Sequence, residues 1–151
     1  MQIIRDDLRG PEIAALLEAH LADFAPHSPP ESCHALDLAA LRHPDVHFYT
    51  AWEDGELLGC GAFKRLDDEH AELKSMRTDS RHLRRGVARA LLTRLMAEAR
   101  AAGFERLSLE TGSVAHFAPA RHFYAAAGFA ECGPFGDYVE DPYSVFMTRR
   151  L

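Results

Sequence analysis

The chain has 151 residues, 47% of them hydrophobic, and a formal net charge of −6. A chain of this size buries about two-thirds of its unfolded surface in one core, which excludes a disordered class. The acidic balance argues against general nucleic-acid binding, and no apolar run reaches the roughly 20 residues of a membrane span. Cys33, Cys60 and Cys132 are widely spaced, so neither a disulfide framework nor a thiolate metal site is expected. The start, Met1-Gln-Ile-Ile-Arg-Asp-Asp7, lacks the apolar segment of a secretory signal. The expectation is a soluble protein of the reducing cytoplasm.

Residues 2–4 read as a short first strand. Gly10-Pro11-Glu12 is a helix start, because proline fits the first helical position and glutamate the first turn. Ile13, Leu16, Leu17, Leu21 and Phe24 then recur at helical spacing to near Pro26. A second helix is expected over residues 34–42, ended by Pro44. Residues 47–52 and 57–63 form two strands around Asp54-Gly55, a hairpin signal. Gly59 and Gly61 in the returning strand suggest close packing or a bulge. Residues 70–78 alternate into a third strand, completing an antiparallel meander.

Residues 86–102 form the long helix, with Val87, Leu91, Leu95 and Ala99 on one face and Gly103 at its end. Residues 106–111 are the next strand, so 70–78 and 106–111 should be parallel neighbours in a βαβ unit. A shorter helix over 119–127 ends at Gly128, and strands at 129–133 and 143–149 flank the turn-rich segment 134–142. One mixed α/β domain spanning residues 1–151 is expected.

The segment Arg81-His-Leu-Arg-Arg-Gly-Val-Ala-Arg-Ala-Leu-Leu92 crowds four arginines around a glycine where a helix begins. Unpaired N–H groups and the helix dipole favour an anion there, and a glycine lets the backbone approach it. The combination suits a pyrophosphate. The lysine-bearing phosphate loop and the dinucleotide fingerprint are both absent. Glu72 and Glu110 stand out as carboxylates between apolar strand neighbours. Period two puts Glu72, Lys74, Met76 and Thr78 on one face. The 9 histidines show no paired metal spacing, and nothing marks Cys60 as an activated nucleophile.

Taken together, the arginine–glycine loop after a strand, Ala120-Arg-His-Phe-Tyr124-Ala-Ala-Ala-Gly-Phe129 and the order of elements resemble the GNAT family of N-acetyltransferases. Ser28 to Asp37, Leu109 to Gly112 and Pro142 to Met147 look like one bacterial subgroup of it. Two positions depart from the family pattern: Leu83 stands where Gln or Arg is usual, and Phe117 where asparagine is common.

The resemblance implies acetyl-CoA as acyl donor, with no metal. Its pyrophosphate would lie on the backbone of Leu83, Arg84, Arg85, Gly86, Val87 and Ala88, and its 3′-phosphate near Arg84, Arg85 or Arg89. The pantetheine arm would run along Met76, Arg77 and Thr78, with the Met76 N–H polarising the thioester carbonyl. Tyr124 would protonate the departing thiolate. The ammonium proton would go to Glu72, to Glu110 or into a water chain, and Glu31, His34 and Tyr138 would wall the acceptor. The implied reaction is direct attack by a primary amine of a small molecule or peptide in a ternary complex. The alternative is a non-catalytic acyl-CoA sensor, and family analogy also allows a homodimer.

Overall fold

The computed structural model describes residues 1–24, 26 and 38–151. Among them, seven strands form one sheet in the order β1-β2-β3-β4-β5-β7-β6. They are β1 (Gln2–Arg5), β2 (Val46–Glu53), β3 (Glu56–Arg65), β4 (His70–Thr78), β5 (Arg106–Gly112), β6 (Ala130–Cys132) and β7 (Ser144–Arg150). In this sheet β4 and β5 run parallel, and the other neighbours are antiparallel. The helices are α1 (Pro11–Phe24), α2 (Leu38–Leu41), α3 (Val87–Ala101) and α4 (Ala118–Ala126). The meander and the βαβ unit thus stand where periodicity puts them. The first part of the expected second helix, residues 34–37, lies outside the described residues.

Each sheet face has its own core. On one, Val87, Leu91, Leu95 and Ala99 of α3 pack on Leu58, Phe63, Leu73 and Leu107, with Tyr124 of α4 at the end of the cluster. On the other, Ile13 and Leu16 of α1 pack on Phe48, Cys60 and Ala62. The α3 stripe read from the sequence buries in full, because a helix stripe needs a partner surface, whereas of the α1 stripe Ile13 and Leu16 bury, Leu17 is half-buried and Leu21 is exposed.

Strand β4 departs from plain alternation. Lys74 pairs with Ala62 and Arg77 with Cys60, so Ser75 and Met76 together oppose Gly61. Ser75 has φ 55°, left-handed for a non-glycine residue. This is a β-bulge, and an extra residue flips the side-chain phase beyond it. Glu72, Lys74 and Arg77 therefore share the α1 face with Cys60 and Ala62, while Met76 reaches the α3 core. The expectation that Glu72, Lys74, Met76 and Thr78 lie on one face is overturned. Period two holds only while the ladder is unbroken.

Gly59 and Gly61 are explained by the same bulge. A Cβ on Gly61 would meet Leu95 Cδ1 at 2.8 Å, and one on Gly59 would lie 2.7 Å from the Arg77 carbonyl oxygen. The latter obstacle is backbone and cannot rotate away. Gly59→Ala is expected to cost about 1–3 kcal/mol through overpacking, read as a lower denaturant midpoint at unchanged slope. An unchanged midpoint would mean that β3 and β4 can part without cost.

Candidate active site

Beyond the last parallel pair, Glu72 with Ser108, strands β4 and β5 no longer bond to each other. A cavity of about 670 Å³ occupies the divergence. It runs through the sheet. On the α1 side it is lined by His20, Asp23, Glu72, Lys74, Arg77 and Tyr138, and on the α3–α4 side by Met76, Thr78, Ala88, Phe123 and Tyr124. The bulge contributes to this division, because it sends Lys74 and Met76, two residues apart, to opposite faces.

Glu72 is 4% exposed, which requires compensation for a charged group. Its Oε2 accepts a hydrogen bond from Lys74 Nζ at 3.0 Å and from the Tyr138 hydroxyl at 2.6 Å. Tyr138 comes from the β6–β7 loop, where its ring packs 5.2 Å from Phe135 and 5.5 Å from Phe146. Burial and the facing Glu72 carboxylate push its phenol pKa far up, so it remains a donor. Glu110, on β5, takes a hydrogen bond from Ser144 Oγ at 2.7 Å through its Oε2. Glu72, Glu110 and Tyr138 thus all line one cavity.

On the opposite face, Tyr124 is buried between the rings of Phe123 and Phe129, at 5.2 and 5.8 Å. Burial raises its pKa, and its hydroxyl makes no hydrogen bond among the described residues. A phenol kept neutral and unpartnered beside a cavity can give a proton to a nearby anion.

The arginine–glycine loop lies at the start of α3. Gly86 is its N-cap at φ 79°, and no side chain caps the helix among the described residues. The open N–H groups suit phosphate oxygens. Space around Gly86 is empty, so backbone conformation, not crowding within the chain, calls for glycine there. The arginines divide into two sets. Arg81 pairs with Asp79 at 3.0 Å, and Arg85 bonds Glu53 at 2.9 Å and His82 at 2.8 Å. Arg84 and Arg89 are exposed and have no partner among the described residues.

One cluster escaped the sequence reading. Asp23 Oδ2 lies 3.2 Å from Arg77 Nη1 and 3.3 Å from His116 Nε2, joining α1, β4 and the turn before α4. His20, one turn earlier, keeps a buried Nδ1 without a hydrogen-bond partner among the described residues. Burial and Arg77 hold its pKa down to about 4. The i, i+3 spacing of His20 and Asp23 was visible, but nothing in sequence ties α1 to Arg77 and His116. Glu31 and His34 lie outside the described residues. Cys60 is fully buried, bonds the Ser75 carbonyl through its thiol and is pushed up to about 12 by burial, so it is no nucleophile.

Residues 12–129 match the acetyltransferase (GNAT) family. The chain is 54% identical, over the full length of both, to the uncharacterized N-acetyltransferase YsnE of Bacillus subtilis. It is 41% identical to an IAA acetyltransferase of Azospirillum brasilense over 89% of this chain and 86% of that one. In fold it is similar, at TM-score 0.74, to a GNAT acetyltransferase of Elizabethkingia anophelis solved with acetyl-CoA bound, with 16% identity over 99% of this chain and 97% of that one. The chain belongs to the GNAT family. It is an acetyl-CoA-dependent N-acetyltransferase. Among the described residues, no helix is long and apolar enough to cross a membrane.

Proposed function

We propose that the acetyl group passes directly from acetyl-CoA to a primary amine, of a small molecule or peptide, while both are bound in the through-sheet cavity. The observation that carries this reading is the cavity's two-sidedness: a buried phenol lies on the α3–α4 side and a carboxylate cluster on the α1 side. The donor would enter from the α3 side. Its pyrophosphate would rest on the backbone of Leu83 to Ala88, and its pantetheine arm along Met76, Arg77 and Thr78.

The amine nitrogen attacks the thioester carbon, whose oxygen is polarised by the Met76 N–H. The C–S bond then breaks, and the thiolate takes the Tyr124 proton. The ammonium proton goes, through water, to Glu72. Glu72 is preferred to Glu110 because it is the more buried and is fixed by two bonds to Oε2, while its Oε1 accepts none among the described residues. Glu31 and His34 remain proposed parts of the acceptor wall, and dependence on acetyl-CoA favours the cytoplasm.

Isothermal titration with acetyl-CoA and with dephospho-CoA tests the donor half. Arg84→Ala/Arg89→Ala is expected to weaken acetyl-CoA binding by about tenfold or more, since charge-assisted bonds contribute roughly 1.5–3 kcal/mol each. Arg81→Ala, whose guanidinium is engaged with Asp79, should change affinity little. Dephospho-CoA should bind both proteins alike. No binding of acetyl-CoA to the parent protein would sink the reading.

A further inference from the structure

Resting on that reading, we propose that His20 is the acceptor-binding residue: its imidazole takes a hydrogen bond from the ammonium of a small amine whose apolar body lies against α1. Three observations carry it.

The first is the site's charge balance. Its described lining holds four carboxylates, Glu18, Asp23, Glu72 and Glu110, against two cations, Lys74 and Arg77. Each cation is already engaged by a carboxylate, Lys74 with Glu72 at 3.0 Å and Arg77 with Asp23 at 3.2 Å. An acceptor carboxylate would have to displace one of these partners and would raise the negative excess. An ammonium lowers it, and the low dielectric of a cavity strengthens that preference.

The second is the apolar wall. Ala14, Leu17 and Leu21 of α1, with Leu38 of α2, line the cavity beside those charges. Leu21 is 47% exposed, a large apolar side chain awaiting cover. A polar acceptor such as an aminosugar would leave its hydroxyls unpaired against this surface. An amine on an aromatic or aliphatic body fits both halves of the wall.

The third is His20 itself. It stands between the apolar stripe and the Asp23–Arg77 pair, on the acceptor side of the sheet. With a pKa held down to about 4 it is neutral at neutral pH, so it accepts a hydrogen bond without repelling a cation. Its buried Nδ1 has no partner among the described residues. That atom is sealed from solvent, so the half-buried ring meets the cavity through its other atoms, and it is there that an ammonium would be received. The remaining charged and titratable groups of this wall, Glu18, Asp23, Arg77 and His116, are either acids or held in the Asp23 cluster.

The test measures CoA release with 2-phenylethylamine, tryptamine, kanamycin and indole-3-acetic acid, for the parent protein, His20→Leu and His20→Gln. Acetyl-CoA affinity is titrated in parallel. Turnover of the two arylalkylamines is expected, with KM for amine raised about tenfold in His20→Leu and largely restored in His20→Gln. The kcat and the acetyl-CoA affinity should stay near the parent values. A merely structural His20 would move acetyl-CoA affinity and thermal midpoint together, without a selective change in amine KM. Turnover of indole-3-acetic acid or kanamycin in place of the arylalkylamines would overturn the proposal, as would amine KM values indifferent to His20→Leu. Acetyl-CoA binding without turnover of either arylalkylamine also overturns it, and leaves the acetyl-transfer reading standing. Failure of the parent protein to bind acetyl-CoA would instead remove that reading.

Discussion

Tyr124→Phe is expected to lower kcat about 10²–10⁴-fold, the usual contribution of a positioned proton donor, while the protein stays as stable as the parent. The two halves of this expectation have one source. The Tyr124 hydroxyl makes no hydrogen bond among the described residues, so its removal strands no partner. The ring stays packed between Phe123 and Phe129. Phenylalanine fills the same volume and retains the edge contacts, which are the part of Tyr124 that stabilises the fold. A fall in kcat at unchanged thermal midpoint and acetyl-CoA affinity therefore isolates the proton. The leaving group offers a second check. A thioester whose thiol is more acidic needs less help to depart, so its penalty in Tyr124→Phe should be smaller. Full kcat in the variant would mean that the thiolate leaves unprotonated or takes its proton from water.

Much of this arrangement can be read from sequence, and the exceptions have physical causes. Val87, Leu91, Leu95 and Ala99 announce the buried face of α3 because helical period alone determines which residues meet the sheet. The parallel pairing of β4 and β5 follows from a helix long enough to cross between them. The flip at Ser75 is different. Serine carries no signal for a positive φ, so the reversal that sends Lys74 and Met76 to opposite faces is invisible in the alternation. Gly59 and Gly61 hinted at it from the neighbouring strand. The place of the arginine loop at a helix start is legible in sequence, but not which of its arginines carboxylates already engage. Arg81 and Arg85 are neutralised by Asp79 and by Glu53, and Glu53 lies far back in the chain. The Asp23–Arg77–His116 cluster spans still greater separations, and only tertiary packing assembles it.

Glu72 and Lys74 admit an experiment that separates catalysis from structure, and its largest effect is on stability. Their side chains are 6% and 10% exposed, so each charge depends on the other. Lys74→Met leaves a buried carboxylate with only the Tyr138 hydroxyl, and is expected to cost about 3–5 kcal/mol, a fall in Tm on the order of 10 °C. The double variant Glu72→Gln/Lys74→Met removes both charges and leaves an amide that Tyr138 can still bond. Most of the lost stability should return, because the destabilisation comes from the stranded charge and not from the absence of the pair. If Glu72 accepts the ammonium proton, the double variant folds, binds acetyl-CoA normally and keeps a kcat lowered about 10²-fold or more. If the pair only braces the loop that carries Tyr138, kcat returns together with Tm. Recovery of stability without recovery of rate is the expected result, because the amide that replaces the Glu72 carboxylate has no basic oxygen for the proton.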